Sequence, residues 1–173
     1  MNDFKNQELS PEEKIKSDAL RLLSVRPRSI EELRSRLKLK KHADGAIDSV
    51  IELLKKQGLL DDEKFAKVFT GAKTFSRPMA RRQIERDLKK KGVSSRIIEN
   101  ALSSLAQYDE KEAARKAVEK RFLRMTDIAP EKKKTRLFGF LKRRGFSNET
   151  IFSVLSDLVR EEDFSRGSES DEG

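Results

Sequence analysis

The chain has no cysteine, no tryptophan and a single histidine in 173 residues. The lack of cysteine excludes disulfides, thiol catalysis and Cys-based zinc sites, and it fits a reducing cytosol. His42 has no second histidine, cysteine or acid pair beside it, so it reads as a partly exposed turn residue. Apolar residues are scarce, 35% against 40% charged, which favours thin cores under amphipathic helices over one spherical core. No apolar run approaches the ~18–20 residues that span a bilayer. Residues 1–10 lack the apolar stretch of a signal peptide, so a soluble intracellular protein is expected. The sequence also lacks a Gly-x4-Gly-Lys-Ser/Thr loop, a Gly-x-Gly-x2-Gly turn and a nucleophile elbow. No enzyme, cofactor or metal is therefore expected.

What is present is a pattern repeated three times. Leu33, Leu37, Ile47, Val50, Ile51 and Leu54 are matched 51 residues later by Ile84, Leu88, Ile98, Ala101, Leu102 and Leu105. After a further 53 residues come Leu137, Leu141, Ile151, Val154, Leu155 and Leu158. Repeats of this length are supersecondary units that stack into modular, elongated proteins. Apolar spacing of i, i+3, i+4, i+7 without sustained alternation predicts an all-α protein of nine helices, three per repeat. The second helices are predicted over 30–40, 79–91 and 130–144, and the third over 44–57, 95–106 and 148–160.

The punctuation agrees. Ser10-Pro11-Glu12-Glu13 and Ser29-Ile30-Glu31-Glu32 read as capping boxes, and Asp44, Ser94 and Ser147 as N-caps of the third helices. Gly58-Leu59, Gly92-Val93 and Gly145-Phe146 read as helix ends with glycine in the left-handed conformation. In copy one, Lys41-His42 stands at that place. Lys41 in the same geometry would carry strain of about 1 kcal/mol, so a different turn, using Gly45, is expected there. Asp61-Asp62-Glu63 lies at a helix start, where capping explains it better than metal binding.

Charge is the main functional signal. The net charge is +9; residues 161–173 carry −5, which leaves +14 on residues 1–160. Residues 77–96 hold eight bases against two acids, and residues 115–144 twelve against three. Such a surplus favours a polyanionic partner: nucleic acid, a nucleoprotein or an acidic protein face. Phe65, Phe69, Phe122, Phe138, Phe146 and Phe152 occupy apolar helix positions and are expected in the core. Phe75, Phe140 and Tyr108 remain for exposed contacts, too few to make base stacking the main binding mode.

Four segments also carry a family resemblance. They are Ala19-Leu20-Arg21-Leu22-Leu23-Ser24 with Arg28-Ser29-Ile30-Glu31-Glu32-Leu33; Gly58-Leu59-Leu60-Asp61-Asp62-Glu63-Lys64-Phe65-Ala66; Ile84 to Val93; and Phe140-Leu141-Lys142-Arg143-Arg144-Gly145-Phe146-Ser147. Spread in order over about residues 15–160, they resemble the RecX family, regulators of the RecA recombinase. The resemblance implies a non-enzymatic cytoplasmic protein of DNA repair and recombination. It implies three tandem three-helix repeats, helix-turn-helix-like, in an elongated, curved arrangement. The partner implied is the RecA–single-stranded DNA filament, bound in its groove, with ATPase, strand exchange and SOS induction limited as a result. Direct contact with DNA phosphates, a monomeric state, no membrane and no small-molecule substrate are further expectations.

The expected boundaries are a disordered N-terminus (1–10), repeats over 11–58, 59–107 and 108–162, and a disordered acidic tail (163–173). The expected filament- or nucleic-acid-binding residues are Arg77, Arg81, Arg82, Arg86, Lys89, Lys90, Lys91, Lys132, Lys133, Lys134, Arg136, Lys142, Arg143 and Arg144. Gly58, Leu59, Asp61, Asp62, Phe65, Ala66, Gly92, Gly145 and Phe146 are family-motif residues with an expected structural role. Two alternatives stay open: an autonomous DNA-binding protein and a helical scaffold for an acidic protein. The third helices, rich in Ser, Glu, Asn and Asp, suit phosphate contact poorly.

Overall fold

The computed structural model describes residues 10–126 and 128–168, and its regular structure there is helical. In order come α1 (Pro11–Val25), α2 (Ile30–Leu39), α3 (Asp44–Lys56), α4 (Asp62–Gly71), a π-turn (Ala72–Ser76), α5 (Arg81–Lys90), α6 (Ser95–Ser103), α7 (Glu110–Leu123), α8 (Pro130–Arg143) and α9 (Asn148–Ser168). Two compact units are formed, Met1–Val68 with Leu88–Glu99, and Phe69–Asp87 with Asn100–Gly173. The second repeat is thus divided between them, and α5 gives residues 81–87 to one and 88–90 to the other.

In the first unit α1, α2 and α3 pack on one another. The repeat positions form the core: Leu33, Leu37, Ile47 and Leu54 are wholly buried, with Ile15, Ala19, Val50, Ile51 and Leu60 beside them. Ser10 and Glu13 close the expected capping box on α1. Ser29 caps α2 by accepting from the Glu32 N–H at 3.1 Å. The reciprocal half of that box is not made, because the Glu32 carboxylate pairs with Arg26 and with Lys91. Asp44 is not the N-cap of α3 either; Ala43 holds that place, and Asp44 pairs instead with Lys38 at 3.2 Å.

In the second unit α7, α8 and α9 pack together over Ala114, Val118, Leu137, Leu141, Phe146 and Ile151, with Ala80 in the same core. Ser147 caps α9 by accepting from the Thr150 N–H at 3.0 Å. That helix runs to Ser168, past the expected end at 160, so the segment expected to be a disordered tail starts in helix; residues 1–9 and 169–173 lie outside the described residues. The π-turn was not anticipated. The Thr74 hydroxyl donates to the Thr70 and Gly71 carbonyls at 3.2 and 3.0 Å and competes with the helical ladder. The next closure runs from the Arg77 N–H to the Ala72 carbonyl at 3.0 Å, one residue wider than an α-turn.

Three helix ends follow one geometry. Gly58, Gly92 and Gly145 have φ of 67°, 74° and 86°, and the residues after them donate back to Leu54, Leu88 and Leu141. Lys41 departs from expectation: it adopts φ 63° itself, and Gly45 lies within α3. Its side chain is exposed, so the position carries only the conformational cost. Gly92 and Gly145 also answer to packing. In the first unit the Ser29 hydroxyl donates to the Lys91 carbonyl at 2.6 Å, and a Cβ on Gly92 would lie 2.5 Å from Glu31 Cβ. In the second unit the Ala80 N–H donates to the Arg144 carbonyl at 3.0 Å, and a Cβ on Gly145 would lie 2.5 Å from Gln83 Cβ. In each unit the start of one second helix meets the end of the next one along the chain, and only glycine leaves room there.

The aromatic expectations divide. Phe65, Phe122 and Phe146 are buried, Phe69 and Phe138 half-buried, and Phe75 stands exposed. Phe152 is not core: it is 59% exposed and packs against Phe138 at 5.4 Å between ring centroids. Tyr108 is half-buried rather than free, its hydroxyl donating to the Met79 carbonyl at 3.1 Å. Phe140 is also half-buried.

Candidate polyanion-binding surface

α5 buries Ile84 and Leu88, one turn apart, which turns Arg81, Arg82, Arg86, Lys89 and Lys90 toward solvent. α8 buries Leu137 and Leu141 and leaves Lys132, Arg136, Lys142 and Arg143 exposed in the same way. Several predicted bases have structural work instead. Arg82 Nε donates to the Gly145 carbonyl at 2.6 Å, covering the end of α8. Lys91 is half-buried and pairs with Glu32 at 3.4 Å, and Lys134 pairs with Glu131 at 3.3 Å. Lys133 is buried, its ammonium 3.7 Å from the centre of the Phe122 ring, and does not belong to a contact surface. Lys142 donates to Asn148 Oδ1 at 2.8 Å while remaining exposed.

Arg77 and Arg121, the latter from α7, both lie near enough to Arg144 for their charges to repel it. The guanidinium carbons of Arg144 and Arg121 lie 4.4 and 4.6 Å from the centre of the Phe140 ring. Arg144 Nη1 donates to the Pro78 carbonyl at 2.9 Å, which fixes its direction. Burial, with repulsion from Arg77 and Arg121, holds the Arg144 guanidinium below its usual pKa. Among the described residues no carboxylate pairs with any of the three. The ring face offers each of the two stacked cations roughly 0.5–2 kcal/mol, but it neutralises no charge. The planar N–H fork of a guanidinium matches an anion with several acceptor oxygens, such as a phosphodiester. Arg121 was visible in sequence only as one of the twelve bases of residues 115–144; its approach to Arg144 needs the packing of α7 on α8.

The motif acids have capping roles. Asp61 accepts from the Glu63 and Lys64 N–H groups at 2.8 and 3.1 Å, which holds its carboxyl below the usual range. Asp62 reaches another helix and accepts from the Ile30 N–H at 2.9 Å; burial pushes its pKa up. His42 meets an acid that local sequence does not supply: its Nε2 lies 3.0 Å from Asp18 Oδ2, and Asp18 also pairs with Lys40. No group of three or more His, Cys, Asp or Glu suited to a metal ion occurs among the described residues. No helix among them is long and apolar enough to cross a membrane.

These features define an all-helical protein of three tandem three-helix domains, with basic second helices in the second and third. The domain models of RecX match in order: the first three-helix domain over residues 16–54, the second over 61–102 and the third over 109–155. The regulatory protein RecX of Chlorobaculum tepidum is 37% identical over 144 residues, covering 83% of this chain and 88% of its own. That of Chlorobium phaeobacteroides is 34% identical over 144 residues, covering 82% and 91%. The crystal structure of RecX from Lactobacillus salivarius aligns with a TM-score of 0.61 at 23% identity over 86% of this chain and 96% of that one, which supports the fold. The chain belongs to the RecX family of regulatory proteins.

Proposed function

We propose that this protein regulates the RecA recombinase by binding the RecA–single-stranded DNA filament, and that Arg77, Arg121 and Arg144 meet phosphate or acidic groups there. The observation that carries this reading is the stacking of Arg121 and Arg144 on Phe140, with Arg77 near enough to repel Arg144 and no carboxylate among the described residues paired to any of the three. Such a group costs folding energy through mutual repulsion and is relieved by an anion. The exposed bases of α5 and α8 extend the positive field and speed encounter with a polyanion. Tighter binding to one filament state than to another is enough to lower ATPase, strand exchange and SOS induction without covalent chemistry. The expected location is the cytoplasm, where the filament forms.

The test is the ATPase rate of RecA on single-stranded DNA with the purified protein titrated in, beside a bare-DNA binding measurement at the same salt. Inhibition at or below equimolar protein with weak bare-DNA affinity is the expected result. Tight bare-DNA binding with no inhibition would replace this reading by an autonomous DNA-binding protein.

A further inference from the structure

A second site lies in the first unit, apart from the arginine group. Leu23, Leu59, Phe65 and Val68 line a pocket of about 230 Å³, and Arg28 lines it too. An arginine among apolar walls is out of place unless something meets its charge. The Arg28 side chain is only 9% exposed. Its Nε donates to the Leu22 carbonyl at 3.1 Å, while Nη1 is buried without a hydrogen-bond acceptor. The nearest carboxylate is Glu32, 3.6 Å from Nη1, beyond hydrogen-bond range. Glu32 is already shared with Arg26 and Lys91, so one carboxylate faces three cations. Burial and the neighbouring Arg26 and Arg36 lower the Arg28 pKa, in keeping with an under-compensated charge.

The other charged residues in the lining do not fill the gap. Asp61 is held by the backbone at the start of α4, and Lys64 Nζ lies 3.7 Å from its Oδ2. Leu59 and Val68 are 53% and 57% exposed, so apolar surface continues outward from the pocket. A small acid filling the pocket would leave that surface wet, whereas a chain segment would cover it. Four apolar walls also suit a hydrated phosphodiester poorly.

We propose that this pocket is a docking site for a protein segment in which an aspartate or glutamate is flanked by aliphatic residues, the carboxylate being met by Arg28 and the aliphatic side chains by Leu59 and Val68. The inference needs neither RecA nor DNA, so it stands or falls separately from the filament reading.

The experiment is an NMR titration of the full chain, following the Arg28 Nε–H signal and the Leu59 and Val68 methyls. The probes are acetyl-Leu-Glu-Leu-amide, its glutamine counterpart acetyl-Leu-Gln-Leu-amide, and isovalerate. Saturable shifts at those three residues with the glutamate peptide, and binding at least about tenfold weaker with the glutamine peptide, are expected from loss of a charge-assisted hydrogen bond. Arg28→Met should abolish that preference. Because it also removes a partner of Glu32, Leu59→Glu serves as a second variant; it sits on exposed surface and should abolish binding of the glutamate peptide with the fold intact. Equal affinity for the two peptides, binding that survives Leu59→Glu, or no shift at these residues would overturn the proposal. Isovalerate binding as tightly as the glutamate peptide would also overturn it, in favour of a small free acid.

Discussion

Gly145→Ala should be among the costliest single-methyl additions available in this chain. The residue has φ 86°, where any Cβ is strained by about 1–2 kcal/mol. The added carbon would also lie 2.5 Å from Gln83 Cβ and 3.3 Å from Gln83 Cγ. A Cβ is fixed to its backbone, so the start of α5 must move, and overpacking of this kind costs about 1–3 kcal/mol. The expected total is about 2–5 kcal/mol. Gly58→Ala is the internal control: φ is 67°, but nothing lies within 4 Å of its added Cβ, so about 1–2 kcal/mol of strain alone is expected. Gly92→Ala, with Glu31 Cβ at 2.5 Å, should behave like Gly145→Ala. The assay is urea denaturation followed by far-UV circular dichroism, with a constant m value as the check that the transition is unchanged. Gln83→Gly added to Gly145→Ala should return at least about 1 kcal/mol as a favourable coupling energy. Equal costs for Gly145→Ala and Gly58→Ala, within ~0.5 kcal/mol, would refute the close-approach reasoning.

Two further outcomes follow from the first unit. Lys41→Gly removes a positive-φ side chain from an exposed turn and should raise stability by up to ~1 kcal/mol, read in the same denaturation assay. Asp18 is held below the usual carboxylate range by hydrogen bonds from Lys40 and His42, so the fold favours its ionised form. That contribution is present above the unfolded value of about 3.9 and is lost as pH falls through the lower folded value. Asp18→Asn should therefore be less stable than the parent at pH 6 to 7, with the gap closing below about pH 4; a gap that stays constant would contradict it.

Local chemistry made much of this fold legible. Apolar spacing and caps located the starts of the second and third helices within two residues, because Leu33, Ile47 and their repeat counterparts are buried on one face, while the end of α9 lies well past the expected one. The Gly-apolar pairs gave the left-handed helix ends because few other residues adopt that backbone cheaply. Lys41 shows the limit of that argument: the backbone kept its geometry and the residue bore the strain. The π-turn depends on one hydroxyl competing for two carbonyls, which no periodicity reveals. Phe152 lies between the buried Ile151 and Val154 along α9, but on a different face of the helix from the one the core covers. The candidate site was legible as charge and not as geometry. Lys133 and Arg82 look like their neighbours in sequence, yet one is buried over a ring and the other covers a helix end. Arg144 lies one turn beyond Phe140 at the end of α8, but Arg121 reaches that ring only through the packing of α7 on α8, and Arg77 approaches Arg144 from a separate segment.

The most direct test of the central claim is inhibition of RecA's single-stranded-DNA-dependent ATPase by the double variant Arg77→Glu/Arg121→Glu, compared with the parent at equal salt. Both side chains are exposed, so the fold should be retained and checked by circular dichroism. The account predicts at least a tenfold rise in the concentration needed for half inhibition, equivalent to about 1.4 kcal/mol. A folded double variant that inhibits as well as the parent would contradict it.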